Sequence, residues 1–330
     1  MSTPEQHPIA ADQALSELAA WLRAVGDPIR IHTLRLLARD AFGVQELCHL
    51  LDSKQPSLSH HLKILLQAGL VTTRRERTTV FYRRDPSGAL AGTLKHRLLA
   101  EIDAQPLPSD IELRLQEIHQ LRSEASRRFF AEQADVFKTQ QEQIAEFQEY
   151  GPLVARRAIR HGGGIALEVG PGDGDLLPLL SPHFGQVIAL DNSPEMLQHS
   201  QHTAAGLGNI VFTLGDVDDS KNPPKLPLVD VIVMNMVLHH VPNPQRLLTG
   251  LCQLLKDDGR LIITELCAHD QDWVRDACGD AWLGFDSDEL IAWLRQGGLS
   301  PVSADYLALR NGFRVQIHEF TKPTLPAHLI

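Results

Sequence analysis

The chain is poor in cysteine, in long apolar runs and in excess positive charge. Its four cysteines, Cys48, Cys252, Cys267 and Cys278, include no C-x-x-C pair. That argues against a disulfide framework and against a zinc ribbon. No apolar run approaches the roughly 18 to 20 residues of a membrane span. The opening "MSTPEQHPIA" also lacks a basic start followed by an apolar core, so no secretory signal is read there. A cytoplasmic protein with no membrane partner is the expectation. Net charge is −10, yet the charge is not evenly spread. Residues 1–105 carry 13 Lys and Arg against 11 Asp and Glu, whereas residues 106–330 carry 18 against 30. A locally basic front on an acidic chain suits a nucleic-acid partner whose loose, non-specific binding is suppressed by acidic flanks.

At 330 residues the chain can hold two cores. In the front part, Asp27 stands at a capping position ahead of Pro28, and Ile31, Leu34, Leu36 and Leu37 recur at helical spacing. "VQELCHLLD" reads as a shorter amphipathic helix. After the polar turn "SKQ", Pro56 opens "PSLSHHLKILLQAG", which Gly69 ends. There Leu58, Leu62 and either Leu65 or Leu66 form a buried stripe, leaving Ser57, Ser59, His60 and Lys63 outward, with Gln55 just ahead of them. "LVTTRRERTTVFYRR" then supplies two short β-rich runs joined near Glu76–Arg77. Helix, short helix, turn, helix and basic hairpin form a winged helix-turn-helix. Its second helix is expected in the major groove of double-stranded DNA, with Arg74, Arg75, Arg77, Arg83 and Arg84 reaching phosphates or the minor groove.

"GDPIR", "ELC", "QPSLSHHLKIL", "AGLV" and the arginine-rich wing closely resemble the ArsR/SmtB family of bacterial repressors over roughly residues 15–85. The resemblance implies a homodimer on a near-palindromic operator. Metal sensing does not carry over. Cys48 falls where arsenic-sensing members have the last cysteine of a C-x-C-x-x-C cluster, but Gly43 and Gln45 occupy the other two positions. One thiolate cannot supply a three-sulfur site. Cys48 is read as a buried helix cysteine, His49 and His96 as surface histidines, and no metal is expected.

Residues 106–150, charged and helical in period after "AQPLPSD", form a helical connector. It suits a dimerisation helix, a lever, or the start of the next domain equally well. From residue 151 onward, strands and helices alternate. "GIALEVG", "QVIALDNS", "IVFTLGDVDD", "VDVIVMNMVLHHV" and "GRLIITELC" are strands of a parallel sheet with helices on both faces. Near the end, two strand-like runs flank Asn311–Gly312, a hairpin signal.

The turn after the first of these strands holds Gly170, Gly172 and Gly174 in a G-x-G-x-G spacing, with Asp175 where a dinucleotide fingerprint needs its third glycine. Glu168, two residues before the first glycine, suits a ligand bearing an ammonium group. Pyrophosphate beside Glu168, Asp173 and Asp175 would be repelled. Asp191 ends the second strand, where a carboxylate can accept both ribose hydroxyls. Asp216 and Val217, in "GDV", end the third, where Asp216 can accept from an adenine amino group while Met196 packs on a ring face. All lie at the carboxyl ends of strands, the expected crevice.

This order of motifs, with "VMNMVLHHVPNP" and "LKDDGRLIITE", resembles the class I S-adenosylmethionine methyltransferases. The resemblance implies S-adenosylmethionine or S-adenosylhomocysteine as ligand and places Asn235 on its pocket. The expected fold class is therefore α/β plus mainly-α. An N-terminal winged helix-turn-helix (1–105) and a connector (106–150) precede a doubly wound, Rossmann-like methyltransferase sheet (151–330) ending in an antiparallel hairpin.

The catalytic residue stays unassigned. Methyl transfer needs in-line placement more than acid–base help. His239, His240 and His269 are each candidates for a general base, or simply caps. Cys267 and Cys278 invite an arsenite methyltransferase, against which stand their spacing of eleven and the place of Cys252 on a helix face. Trp273, Trp282 and Phe285 either cover the crevice or fill the core. Two functions follow: a regulator whose second domain senses the ligand, and an active methyltransferase coupled to DNA binding.

Replacing Arg75 by Ala is expected to weaken binding to operator and to random DNA alike. It should also flatten the salt dependence by about one in log–log slope, since each phosphate contact releases counterions. Gel shifts at several salt concentrations check this; unchanged affinity and slope would take Arg75 off the DNA.

Overall fold

The structure, a computed structural model, describes residues 8–38, 40–76, 78–85, 94–219 and 222–324. The chain divides into two compact units, residues 1–119 and 120–330. The division falls inside the expected connector, whose residues form one long helix and the start of the next.

The first unit opens with α1 (Pro8–Val25) and α2 (Pro28–Leu36). The Asp27 carboxylate accepts the Arg30 N–H at 3.2 Å, and Pro28 sits in the first turn. A two-residue strand, β1 (Phe42–Gly43), leads into α3 (Val44–Leu50), where the Gly43 N–H donates to the Glu46 carboxylate at 2.8 Å. The helix α4 (Gln55–Gln67) has Pro56 in its first turn, and Gly69 lies just past its end with φ of 62°. Such a value costs glycine little. β2 (Val71–Glu76) and β3 (Thr79–Arg84) pair antiparallel, and β1 adds to β3 in the order β1-β3-β2. α5 (Leu94–Ala104) follows, then α6 (Ser109–Glu142), which gives its first residues to this unit.

Leu58, Leu62 and Leu65 of α4 are fully buried with Leu34, Leu37, Phe42, Leu47 and Leu50. Each buried leucine contributes roughly 1.5–3 kcal/mol, so this one stripe fixes which face of α4 looks out. Of the two leucines left open by periodicity, Leu65 takes the core and Leu66 is half-buried.

The second unit contains the rest of α6 and then α7 (Phe147–Ile159), whose Tyr150, Val154, Ala155 and Ala158 pack into the core. Next come β4 (Ile165–Val169), α8 (Leu177–Leu180), β5 (Gln186–Asp191), α9 (Pro194–Thr203), β6 (Ile210–Leu214), β7 (Val229–Asn235), α10 (Pro244–Leu254) and β8 (Leu255–Leu266). α11 (Trp273–Cys278), α12 (Ser287–Gln296), β9 (Ser300–Ala308) and β10 (Arg314–Thr321) complete it. The seven strands stand in the order β6-β5-β4-β7-β8-β10-β9. β6, β5, β4, β7 and β8 run parallel, and β10 runs antiparallel to both β8 and β9. The helix expected after the glycine turn is short, because Pro178 and Pro182 withhold the backbone N–H groups that would extend it.

Arg84, expected with the hairpin arginines on DNA, points elsewhere. Its Nη1 and Nη2 donate to the two oxygens of Asp103 at 2.8 and 2.6 Å, and its Nε donates to the Leu34 carbonyl at 2.9 Å. This fork joins β3 to α5 and α2, a use of planar guanidinium that a surface contact would not need. Arg84→Ala is expected to cost about 1.5 kcal/mol, the low end for charge-assisted hydrogen bonds, because Asp103 is 39% exposed. Hydrogen exchange of the α2 and α5 peptides in the full chain measures it. Unchanged exchange would show that the fork adds no stability.

Candidate functional site

The outward face of α4 carries Gln55, Ser57, Ser59, His60 and Lys63, all exposed. Its neighbour His61 turns inward, with Nδ1 3.6 Å from Asp27 and 3.3 Å from Arg30 Nη1. The Gln45 side chain donates to Gln55 at 3.1 Å, tying the preceding helix to the start of this row. On the β2–β3 pair, Arg75 is exposed, Arg74 and Arg83 are half-buried, and Arg83 Nε lies 3.4 Å from the Thr72 hydroxyl. Arg77 lies outside the described residues. The candidates that are described thus fall on one helix face and one hairpin of the first unit. Cys48 is half-buried rather than buried, with burial raising its thiol pKa, and His49 pairs at the surface with Glu117 at 3.7 Å.

In the second unit, β4 delivers Glu168 to the glycine turn. Gly170, Gly172 and Gly174 have φ of 66°, 56° and 82°. A Cβ on Gly170 would stand 2.7 Å from Val237, and one on Gly174 2.9 Å from the Ser200 backbone. Gly172 has nothing within 4 Å, so its backbone faces open space. Glu168 is 1% exposed and its Oε2 has no hydrogen-bond partner among the described residues. Burial, helped by the Asp175 charge, pushes its carboxyl up to about 8. At the end of β5, the Asp191 carboxylate accepts the Ser193 N–H at 2.9 Å. Burial nevertheless lifts it to about 6, with Asp216 adding to the rise and the Ser193 and Asn192 N–H groups opposing it. Asp216 accepts the Asp218 N–H at 2.9 Å, and Val217 beside it is half-buried. Asn235, at the end of β7, has a buried Oδ1 with no partner, and its side chain meets the Tyr150 hydroxyl.

These residues therefore converge on the carboxyl ends of β4, β5 and β7. Buried Glu168 and Asn235 oxygens without partners fit a ligand that brings hydrogen-bond donors and positive charge. The repulsion argued from three carboxylates narrows to Glu168. Asp175 is held by Lys138 at 2.8 and 3.0 Å, and Asp173 by His199 at 3.2 Å. Met196 is buried in a small cluster with Ala134 and Phe137 of α6.

Lys138, Phe137 and Tyr150 were missed by sequence reasoning. Their helices precede the motif-bearing strands, and no local signal marks them as pocket residues.

Both His239 and His240 are buried, and His239 Nδ1 lies 2.5 Å from Glu265. The His269 ring nitrogen Nδ1 accepts the Gln271 N–H at 3.2 Å and its ring packs on Phe313. Trp282 and Phe285 are core, while Trp273 is 40% exposed. Burial raises all three thiols of this unit: Cys252 to about 11, Cys278 to about 12, and Cys267 upward. No helix of the described residues is long and apolar enough to cross a membrane.

Comparison with known proteins agrees with this division. Residues 27–73 match the family model "Bacterial regulatory protein, arsR family", and residues 140–311 match "Methyltransferase domain". A biofilm growth-associated repressor of Agrobacterium fabrum is 40% identical over 74 residues, 22% of this chain and 63% of its own length. The chain thus spans under two thirds of that relative. A ubiquinone biosynthesis O-methyltransferase of Yersinia enterocolitica is 26% identical over 162 residues, 44% of this chain and 67% of that protein. The crystal structure of a Burkholderia thailandensis 1,6-didemethyltoxoflavin-N1-methyltransferase superposes with a TM-score of 0.50 at 17% identity, covering 67% of this chain and 93% of that one. At that identity the likeness speaks for the fold alone. The chain belongs to the methyltransferase-domain family, and it carries ahead of that domain an arsR-family regulatory helix-turn-helix.

Proposed function

We propose that this chain is a transcriptional regulator that binds operator DNA as a homodimer and takes S-adenosylmethionine or S-adenosylhomocysteine as effector in its second unit. The carrying observation is the union, in one chain, of an exposed polar row on α4 and a crevice with unpartnered buried Glu168 and Asn235 oxygens. In this reading α4 enters the major groove, β2 and β3 are the wing, and the β9–β10 pair closes the sheet. Ser57, Ser59 and His60 read base edges, and Lys63, Arg74, Arg75, Arg77 and Arg83 take phosphates. Glu168 receives the ligand's ammonium group, Asp191 its ribose hydroxyls, and Asp216 and Val217 its adenine edge. Gly172 lets the backbone approach.

A second reading, methyl transfer to a small molecule, is favoured by the buried His239–Glu265 pair at the end of β7. S-adenosylmethionine would then supply an electrophilic methyl group on a sulfonium. Among the described residues Cys252, Cys267 and Cys278 form no group close enough to share one ion, which weighs against arsenite as its acceptor.

Asp191→Ala removes the ribose acceptor, and the loss of charge-assisted bonds at about 1.5–3 kcal/mol each should weaken the ligand at least about tenfold. The mutant should bind operator without ligand as wild type does, yet lose the ligand's effect at concentrations that saturate wild type. A ligand shifts DNA binding only through its different affinity for the two states. Calorimetry followed by gel shifts tests this. Unchanged wild-type operator affinity at saturating levels of both ligands would remove the sensor reading.

Glu168 adds a pH dependence. Its carboxyl, near 8 in the unliganded unit, must ionise to receive an ammonium group. Affinity should therefore rise from pH 6 toward its plateau near 8, with net proton release at pH 7. Glu168→Gln should remove the rise above pH 7 and most of the proton release, leaving the change near 6 that belongs to Asp191. Calorimetry in buffers of different ionisation enthalpy reads the proton. Equal pH profiles in the mutant and wild type would separate Glu168 from the ligand.

A further inference from the structure

The most unusual group of side chains outside the crevice residues lies just beyond β7. One ligand atom from each of His239, His240 and Asp280 lies within 4.8 Å of the others, and all three residues are buried. Among the described residues, His239 Nε2, both His240 ring nitrogens and both Asp280 carboxylate oxygens have no hydrogen-bond partner. His240 Nδ1 lies 3.5 Å from Asp280 Oδ1. A buried carboxylate without a hydrogen bond is costly even with the charges of His239 and Arg275 acting on it, and a cation seated between the rings and the carboxylate would answer it. We propose that His239, His240 and Asp280 bind a divalent cation of the zinc class, with Glu265 as the positioning residue behind His239.

The geometry assigns each atom a part. The Glu265 carboxylate accepts from His239 Nδ1 at 2.5 Å through Oε1 and from the His239 backbone N–H at 3.0 Å through Oε2. Oε1 also accepts the Leu266 N–H at 2.6 Å. Glu265 is thereby fully engaged, and with an ion bound it would hold the proton of a neutral His239 on Nδ1. Nε2, which has no hydrogen-bond partner among the described residues, would then offer its lone pair to the cluster. A carboxylate behind a ligating histidine, fixing its tautomer and raising its basicity, is the outer shell that metal-bound imidazole ordinarily has.

Asp280 is brought to the histidines by the main chain. The Ala281 and Trp282 N–H groups both donate to the His239 carbonyl, at 2.8 and 3.0 Å. Gly279, with φ of 75°, makes the turn that aims Asp280 inward. A Cβ there would meet the Phe129 ring at 2.5 Å. Arg275 Nη1 donates to the carbonyls of Asp280 and Ala281, and its charge acts on the Asp280 carboxylate from that position. Phe130 and Phe137 stand edge-on to the His240 ring at 5.2 and 5.4 Å, and apolar walls strengthen any charge interaction inside them.

Two imidazoles and one carboxylate are a donor set for zinc or a neighbouring first-row ion rather than for magnesium or calcium, which prefer oxygen alone. Bonds of about 2.0–2.2 Å place tetrahedral ligands about 3.3 Å apart, so the three side chains must close by about 1.5 Å at most. Three protein ligands leave a fourth position for water or for an oxygen or sulfur atom of a bound molecule. The inference rests on neither reading of the DNA unit. It revises the expectation of no metal, which came from Gly43, Gln45 and the cysteine spacing. Asp280 is too far along the chain from the histidine pair to form a sequence motif with it.

The test uses the full chain stripped with a chelator and titrated with Zn²⁺ against a chromogenic competitor. One ion should bind per chain at submicromolar affinity. His240→Gln and Asp280→Asn should each weaken it by about 100-fold or more, and Glu265→Gln by about tenfold, while Cys48→Ser leaves it unchanged. Circular dichroism checks that the variants fold. Should one not fold, Co²⁺ in the wild-type chain decides by itself. A tetrahedral nitrogen–oxygen spectrum with no thiolate charge-transfer band supports the site. A thiolate band, no saturable binding at micromolar ion, or stoichiometric binding retained by folded His240→Gln and Asp280→Asn would overturn it. A proton on His239, held by Glu265 and Asp280, would then be the charge that occupies the cluster.

Discussion

The second unit depends on the reversal of strand order at β4. β5 and β6 extend the sheet to one side of it, and β7, β8, β10 and β9 to the other. The connections leaving β4 and β7 therefore diverge, and a crevice opens over their carboxyl ends. Everything assigned to ligand binding hangs from that edge. Glu168 and the glycine turn leave β4, Asp191 ends β5, and Asn235 ends β7. The glycine turn must follow the strand without side chains because Val237 and the Ser200 backbone occupy the space that Cβ atoms on Gly170 and Gly174 would need.

Burial then sets the chemistry of this edge. A carboxylate at 1% exposure with an open oxygen is an energetic debt of the unliganded unit, and its raised pKa expresses it. The neighbouring acids are treated differently: Asp175 has Lys138, and Asp173 has His199. Three acidic residues that look alike in sequence thus become two paired groups and one buried carboxyl with an oxygen that has no partner among the described residues. The same logic applies beyond β7, where Glu265 is saturated with donors and Asp280 has none.

The first unit uses its charge in two ways. Three leucines on one face of α4 leave a row of polar and basic side chains outside. Arg84 shows that a basic residue in a basic hairpin need not be part of that outer surface. Its fork to Asp103 and its bond to the Leu34 carbonyl hold three elements of the unit together.

Local chemistry was legible in the residues. The cap at Asp27, the prolines that open α2 and α4, the stripe Leu58–Leu62–Leu65, the alternation of strands with helices and the G-x-G-x-G turn each depend on neighbours within a few positions. For that reason the helices flanking the polar turn, the alternating strands and the placement of Glu168 and Asp191 were read from the residues. Asn235 came through the family resemblance, and β1, α5, α11 and α12 went unread. Packing decided the rest. Arg84 meets Asp103, Lys138 meets Asp175, Tyr150 meets Asn235, and Asp280 meets the His239–His240 pair only once the elements carrying them are packed together. No period or spacing encodes these meetings, because residues far apart in the chain share no local geometry until the sheet and its helices set the distance between them.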